Sequence, residues 1–355
     1  MKILHICENI RIKSGGSVVI KRNLKVIKDF FGEENTIHYE LLRKNSNKIK
    51  NLWDDITELG FYGLNKQSKE EILNIIQQNK INIVFLDSSN LGVLAKIIKQ
   101  RYKQVRIITF FHNIEFVFFK EEFKITYSLK YLYKVPLSYL NEKFSCKSSD
   151  IVITLNNRDS NMLYKYYKRT ADKIIPVSLI NDKIANHYNS EKYLLFVGSN
   201  FPPNIKGISF FIEKILPHIN VKLVIVGSGM ENLKEKYKAY KNLEIFGYVE
   251  DLTTLYANAN LVVLPIFAGS GMKIKTAEAL KYGKYIIAAP EALTGYPYNK
   301  NIAICCKDAK SFISAINNFD FNQSKFNQES RNLFLQKYTH EIVYQTFCEI
   351  FKSIK

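Results

Sequence analysis

The sequence predicts an α/β protein made of two doubly wound parallel sheets. Three observations carry that prediction. Short apolar runs alternate with amphipathic stretches along most of the 355 residues, the alternation that builds parallel βαβ units. The alternation breaks once, at the polar, aperiodic "NDKIANHYNSEK" of 181–192. Finally, a chain of this length exceeds one ordinary core, and 46% apolar and 13% aromatic content is ample to fill two.

The first half opens with "KILHIC" (2–7), a buried-strand run, followed by a polar loop with Gly15-Gly16 and then "SVVIKRNLKVIKDFF" with helical periodicity. Further strands are expected at "INIVFLD" (81–87), "VRIITFF" (105–111) and "DIVITL" (150–155), each followed by a helix, with "KIIPV" (173–177) closing the series. This places a first Rossmann-like domain at 1–180 and the linker at 181–192. A second domain, 193–338, has strands at 193–198, 221–227, 242–247, 260–265 and 285–289, with helices near 206–216, 230–240, 250–258 and 273–282. After Asp308 the pattern is helical. The amphipathic end, about 339–355, is long enough to pack back on the first domain.

Composition narrows the function classes. A formal charge of +18 and a pI near 9.4 permit a nucleic acid, an anionic membrane surface, a phosphorylated substrate or a solvated lysine surface. Folds and aromatic-basic signatures typical of nucleic-acid binding are not recognisable, so no nucleic-acid partner is expected. No apolar run approaches the roughly 20 residues that span a bilayer, and "MKILHICENI" turns polar where a signal peptide would stay apolar, so a cytoplasmic protein is expected. Cys7, Cys146, Cys305, Cys306 and Cys348 show no metal-ligand spacing, and neither zinc nor a disulfide framework is expected.

In open α/β sheets the ligand crevice lies beyond the carboxyl ends of the strands, and two such sheets facing each other would make one interdomain cleft. Candidate loops are therefore 8–16, 87–90, 111–115, 198–206, 227–230, 247–251 and 266–272. The last belongs to "LPIFAGSGMKIKTAEAL" (264–280). Gly269 and Gly271 allow a sharp turn and close approach to a ligand, and the following helix N-terminus suits an anion. Lys273 or Lys275 would add a charge suited to phosphate. Lys275 and Glu278 share a helix face, so a ribose attached to that phosphate would meet Glu278, while Lys273 is placed to turn to solvent. An exposed Lys275–Glu278 ion pair beside a simple turn is the competing account.

The order "FVGSNFPPNIKGISFF", "LVIVGSG", "IFGYVEDLTTLYANANLVVLP", "GSGMKIKTAEALKYGKYIIAA" across 195–290, on two tandem Rossmann-like domains, resembles the family 4 glycosyltransferases of the GT-B fold. The resemblance implies transfer of a sugar, with retention, from a nucleotide-diphosphate donor, UDP- or GDP-linked, to a glycan or lipid-linked acceptor. It also implies no metal or other cofactor, and the sequence holds no Asp-x-Asp pair of the kind that binds Mg²⁺ or Mn²⁺ at a diphosphate. The setting implied is bacterial surface polysaccharide synthesis.

Carried over residue by residue, Glu278 resembles the second glutamate of the family's two-glutamate motif, which holds the ribose, and Ser270 stands at the place of the first. Ser199 occupies the place of the family's diphosphate arginine, and Lys206-Gly207 resembles the lysine-glycine that accompanies it. Diphosphate neutralisation would then rest on Lys206, Lys273 and Lys275. Gly198, Gly227, Gly269, Gly271 and Met272 complete the donor loops, and Gly247 to Val249, with Tyr248, would face the nucleobase. Asp251 reads as a helix N-cap.

Gly15-Gly16 resembles the loop that approaches diphosphate or acceptor, against an ordinary turn. "FFHNIE" (110–115) resembles a His-Asn-x-Glu segment, with His112 placed to polarise the sugar or an acceptor hydroxyl, against a histidine satisfied by backbone. Residues 116–144 mix aromatics with lysines, as a helix pair with a packed aromatic stripe does, and as peripheral contact with the inner face of an anionic membrane would. The alternative to an enzyme is a glycosyltransferase-like subunit that regulates an active partner; hydrolases and epimerases of similar fold are weaker options.

Overall fold

The computed structural model describes residues 1–9, 15–43, 47–182, 184 and 189–354. The chain divides into two compact units, Met1–Pro176 with Val343–Lys355, and Val177–Ile342. The linker expected at 181–192 is counted with the second unit, and residues 183 and 185–188 of it lie outside the described residues.

In the first unit six parallel strands, β1 (Ile3–Glu8), β2 (Thr36–Leu41), β3 (Ile83–Leu86), β4 (Arg106–Phe111), β5 (Ile151–Thr154) and β6 (Lys173–Ile174), lie in the order β2-β1-β3-β4-β5-β6. The inner strands are covered on both faces, which is why they read as unbroken apolar runs. Leu4, Ile6, Val84, Leu86 and Ile107 pack with Leu73, Ile76, Leu94 and Ile98 of the helices on one face. On the other face the terminal helix His340–Ser353 brings Phe347 to 6.2 Å from Phe85 and 6.4 Å from Phe110, and Phe351 onto Phe30 and Phe31. Strand β2, absent from the sequence reading, is an edge strand whose "TIHYEL" is half-exposed except at Leu41, so it carries no apolar run.

In the second unit β7 (Tyr193–Val197), β8 (Lys222–Val226), β9 (Leu243–Phe246), β10 (Leu261–Leu264), β11 (Tyr285–Ala288) and β12 (Ala303–Cys305) lie in the order β12-β11-β10-β7-β8-β9. Three of the expected helices form as Pro202–Lys214, Thr253–Asn258 and Ile274–Lys281. The one expected at 230–240 does not. A 3₁₀ turn, Met230–Leu233, is followed by further turns, and the buried Tyr237 donates its hydroxyl to Glu213 at 2.7 Å, tying the segment down before it can propagate.

Each sheet has one topological switch. From β1 the chain passes to β2 on one side and β3 on the other; from β7 it passes outward to β8 and β9 and returns to β10 on the opposite side. The carboxyl ends of β1 and β3, and of β7 and β10, are thus where a crevice opens. Among the described residues no helix is long and apolar enough to cross a membrane.

Candidate functional site

The switch point of the second unit is built from loops pressed together. Gly227 has φ 153°, and a Cβ there would lie 2.0 Å from the carbonyl oxygen of Gly198, so the turns after β7 and β8 meet backbone to backbone. The Gly198 amide donates to Val226 O at 2.9 Å, and that of Asn200 to Ser228 O at 2.8 Å. Gly227 N also donates to Gly247 O at 3.1 Å, which draws the turn after β9 alongside. In that turn Tyr248 is exposed and Val249 half-buried. Asp251 accepts the amide of Thr253 at 2.8 Å, one position ahead of the capping residue Leu252.

Beyond β10 the chain turns at Gly269 and Gly271, with φ 137° and 62°, and enters the helix Ile274–Lys281, whose start is capped by no side chain. Met272 is buried. Lys273 does not turn to solvent. Its ammonium donates to Ser270 O at 2.9 Å and Gly271 O at 3.1 Å and pairs with Glu291 at 2.7 Å, closing the turn on itself.

Lys275 lies over the Phe196 ring, 5.4 Å from its centroid, and donates to Asn204 Oδ1. Burial lowers its ammonium to about 8, with neighbouring Glu278 opposing the shift and Lys273 adding to it. Glu278 accepts from the Tyr256 hydroxyl at 3.1 Å, and Tyr256 stacks on Tyr282 at 4.5 Å. Burial raises the Glu278 carboxyl, and Tyr256 and Lys275 only partly offset it. Asn204, which no motif singled out, also donates to Ser199 O at 2.9 Å and so ties the β7 loop to Lys275. Lys206, two residues further along the same helix, is exposed and takes no part in this set of contacts. The arrangement offers a cation, an uncapped helix start and a carboxylate on one face, which suits a phosphorylated, hydroxyl-bearing ligand.

At the first unit's switch point Asp87, directly after β3, is fully buried. Its Oδ1 accepts from His112 Nε2 at 2.8 Å and Asn23 at 2.9 Å, and its Oδ2 from His5 Nε2 at 2.9 Å. Burial opposes ionisation, but the hydrogen bonds from His112 and His5 outweigh it and hold the carboxyl at about 2. With Nε2 engaged, His112 Nδ1 is the nitrogen without a partner among the described residues. Burial raises the Glu8 carboxyl at the end of β1, against the pull of His112. Gly15 and Gly16 open the helix Gly15–Phe31, and residues 10–14 of their loop lie outside the described residues. Asp87 and His5 escaped the sequence reading because their pairing spans 82 residues.

Most aromatics of 116–144 are packed. Phe119 stacks on Phe61 at 6.0 Å, Phe116 meets Tyr139 at 5.2 Å, and Lys134 lies over Phe119 at 5.2 Å. Tyr127, Leu129 and Leu132 remain exposed, as do Ile49, Leu52, Trp53 and Ile56 on the helix Lys48–Thr57.

Residues 191–319, within the second unit, match the family model described as Glycosyl transferases group 1. An uncharacterised 44.6 kDa protein of the cps region of Klebsiella pneumoniae is 23% identical over 327 residues, covering 86% of this chain and 82% of that one. Among solved structures, Anabaena Alr3699/HepE in complex with UDP aligns with a TM-score of 0.71 at 13% identity, over 99% of this chain and 100% of that one. A glycosyltransferase from Rickettsia africae aligns with a TM-score of 0.67 at 16% identity, over 99% and 98%. With two six-stranded parallel sheets flanked by helices, the fold is GT-B.

Proposed function

From the GT-B fold and the group 1 glycosyl transferase domain over 191–319, we propose that this chain is a metal-independent, retaining glycosyltransferase. It moves a hexose from a nucleotide-diphosphate sugar to a glycan or lipid-linked acceptor in bacterial surface polysaccharide synthesis. The observation that carries the reading is the placement of Lys275 and Glu278 three residues apart on the uncapped helix that follows the Gly269–Gly271 turn, inside the matched stretch. Glu278 takes the ribose hydroxyls, and Lys275 with the helix amides stabilises the departing diphosphate, where preorganised donors act most strongly on developing charge. His112, oriented through Nε2 by Asp87, presents Nδ1 to the transferred sugar or the acceptor hydroxyl. The Anabaena protein crystallised with UDP and with UDP-glucose, and the Klebsiella protein from a cps region, support the donor and the setting.

The exposed Ile49, Trp53 and Ile56 beside basic residues support peripheral contact with an anionic membrane. Co-sedimentation with anionic vesicles, weakened by Trp53→Ser, tests that contact. Screening UDP-, GDP- and other nucleotide-sugars by thermal shift, followed by transfer assays with the stabilising donor, tests the function. One nucleotide class should both stabilise and donate; stabilisation by none would sink the reading. A non-catalytic partner subunit is the second reading, favoured by Ser270 at the glutamate position and by the pairing of Lys273 with Glu291. Binding without turnover, even with the native partner present, would select it.

A further inference from the structure

Strands β1 and β2 run parallel with His5 directly opposite His38 and Cys7 directly opposite Glu40. Alternate residues of a strand share a face, so these four side chains form a two-by-two block on one side of the sheet. The two imidazoles point nitrogen to nitrogen, Nδ1 to Nδ1 at 2.9 Å, and one ligand atom from each of His5, Cys7 and His38 lies within 4.8 Å of the others. Two nitrogens bound to one tetrahedral zinc ion sit roughly 3.3 Å apart, given Zn–N bonds of about 2.0–2.1 Å. The pair therefore stands close to the spacing of shared ligands.

The surroundings fit the same chemistry. His5 uses Nε2 to donate to Asp87, leaving Nδ1 as the lone-pair nitrogen; a carboxylate behind a histidine is the arrangement that orients metal-bound imidazoles. Asp87, Glu8 and Glu40 surround Cys7 with negative charge, while Lys28 is the opposing cation near His38. His38 is only half-buried on the edge strand, which gives an ion a way in.

We propose that His5, Cys7 and His38 bind one zinc-type divalent ion on the first unit, with water or Glu40 as the fourth ligand. On binding, the Cys7 thiol loses its proton to solvent, the ring proton that His38 Nδ1 shares with His5 Nδ1 moves to His38 Nε2 through solvent, and the sulfur, with the two freed Nδ1 lone pairs, donates to the metal. Nitrogen and thiolate donors favour such a borderline ion over Mg²⁺ or Ca²⁺. None of the three ligands belongs to the nucleotide-sugar reading; Asp87 supports both His5 and His112, but zinc binding is measured without donor or transfer, so the two readings fail separately.

The test uses the full-length protein, stripped with a strong chelator and desalted. Zn²⁺ should bind at one equivalent in competition with a chromophoric chelator, and Co²⁺ should produce a thiolate-to-metal charge-transfer band. Cys7→Ser and His38→Gln should each weaken zinc binding by at least about 100-fold, and Cys7→Ser should abolish the cobalt band. Cys146→Ser, another buried cysteine of this unit, should change neither. Failure of the wild type to retain zinc or to give the cobalt band overturns the site without recourse to any variant. So does a smaller loss in either ligand variant.

Discussion

At neutral pH the ammonium of Lys275 is held against Phe196 with an affinity for its proton lowered by burial from 10.5 to about 8. The unfolded chain therefore binds more protons than the folded one between those values, so stability rises with pH through that window, and the penalty is fully present below it. Lys275→Met removes the charge but strands Asn204 Oδ1. The variant should be about 1 kcal/mol more stable than wild type at pH 7, with the advantage fading as pH climbs from 8 toward 10.5. Nucleotide-sugar transfer should meanwhile fall by about two orders of magnitude, the scale of losing one preorganised charge-stabilising group. Denaturant melts across pH check the first effect and transfer assays the second; equal stability at both ends of the window would remove the buried-charge account. Glu278→Ala should leave the fold intact and cost roughly 2–4 kcal/mol of donor affinity, because two ribose hydrogen bonds to a charged group are lost; unchanged affinity by calorimetry would refute the ribose assignment. On the proposed role of its unpartnered Nδ1, His112→Ala should lower kcat more than donor affinity, and unaltered turnover would make it a support for Asp87 alone. Lys275 and Glu278 could be proposed from the sequence because helical spacing after a glycine turn marks them, and His112 because it ends an apolar strand in a segment resembling His-Asn-x-Glu. Asn204 and Asp87 could not, because each acts through partners brought near only by the folded sheet.

Loops, not strands, set the precision of the second unit's site. The turns after β7 and β8 touch through Gly198 and Gly227, and any side chain at 227 would collide with backbone, which cannot swing away as a flexible side chain could. Gly227→Ala should cost more than about 2 kcal/mol and also weaken donor affinity by spreading the Gly198–Asn200 turn, whereas Ser228→Ala, an exposed neighbour, should alter neither quantity appreciably. Urea unfolding and nucleotide titration of both variants check this; a Gly227→Ala protein of wild-type stability would mean the two turns separate without cost. The inner strands were legible in the sequence for a physical reason, since a strand covered on both faces has no polar side to interrupt its apolar run. Thr36–Leu41 and Ala303–Cys305 were missed because edge strands are half-exposed or short. The segment 230–240 is rich in local helix formers yet forms a 3₁₀ turn and further turns, because burial of Tyr237 and its bond to Glu213 favour them. The block of His5, Cys7, His38 and Glu40 left no trace in linear spacing, because its two halves belong to neighbouring strands in register.

On the scale of the whole chain, the groups assigned to the donor and those assigned to the reacting sugar belong to different compact units. Phe196, Asn204, Lys275 and Glu278 lie in Val177–Ile342, whereas Asp87 and His112 lie in Met1–Pro176. The formal charge of +18 does not by itself choose a partner. A ligand that binds only the folded state stabilises what it touches by RT ln(1 + [L]/Kd), about 2.7 kcal/mol at a hundred times Kd. On the proposed assignment, a nucleoside diphosphate without its sugar engages the groups of the second unit and leaves His112 unengaged. Amide hydrogen exchange in saturating nucleoside diphosphate should therefore slow across 196–201, 227–231 and 268–282, and leave 83–112 unchanged. Because amides and Lys275 are proposed to carry the diphosphate, added Mg²⁺ or Mn²⁺ should alter neither that protection nor the transfer rate. Equal protection around His112 would mean that the nucleotide is not held by the second unit alone. A requirement for either ion would mean that the turn at Gly269–Gly271 and Lys275 do not carry the phosphate charge by themselves.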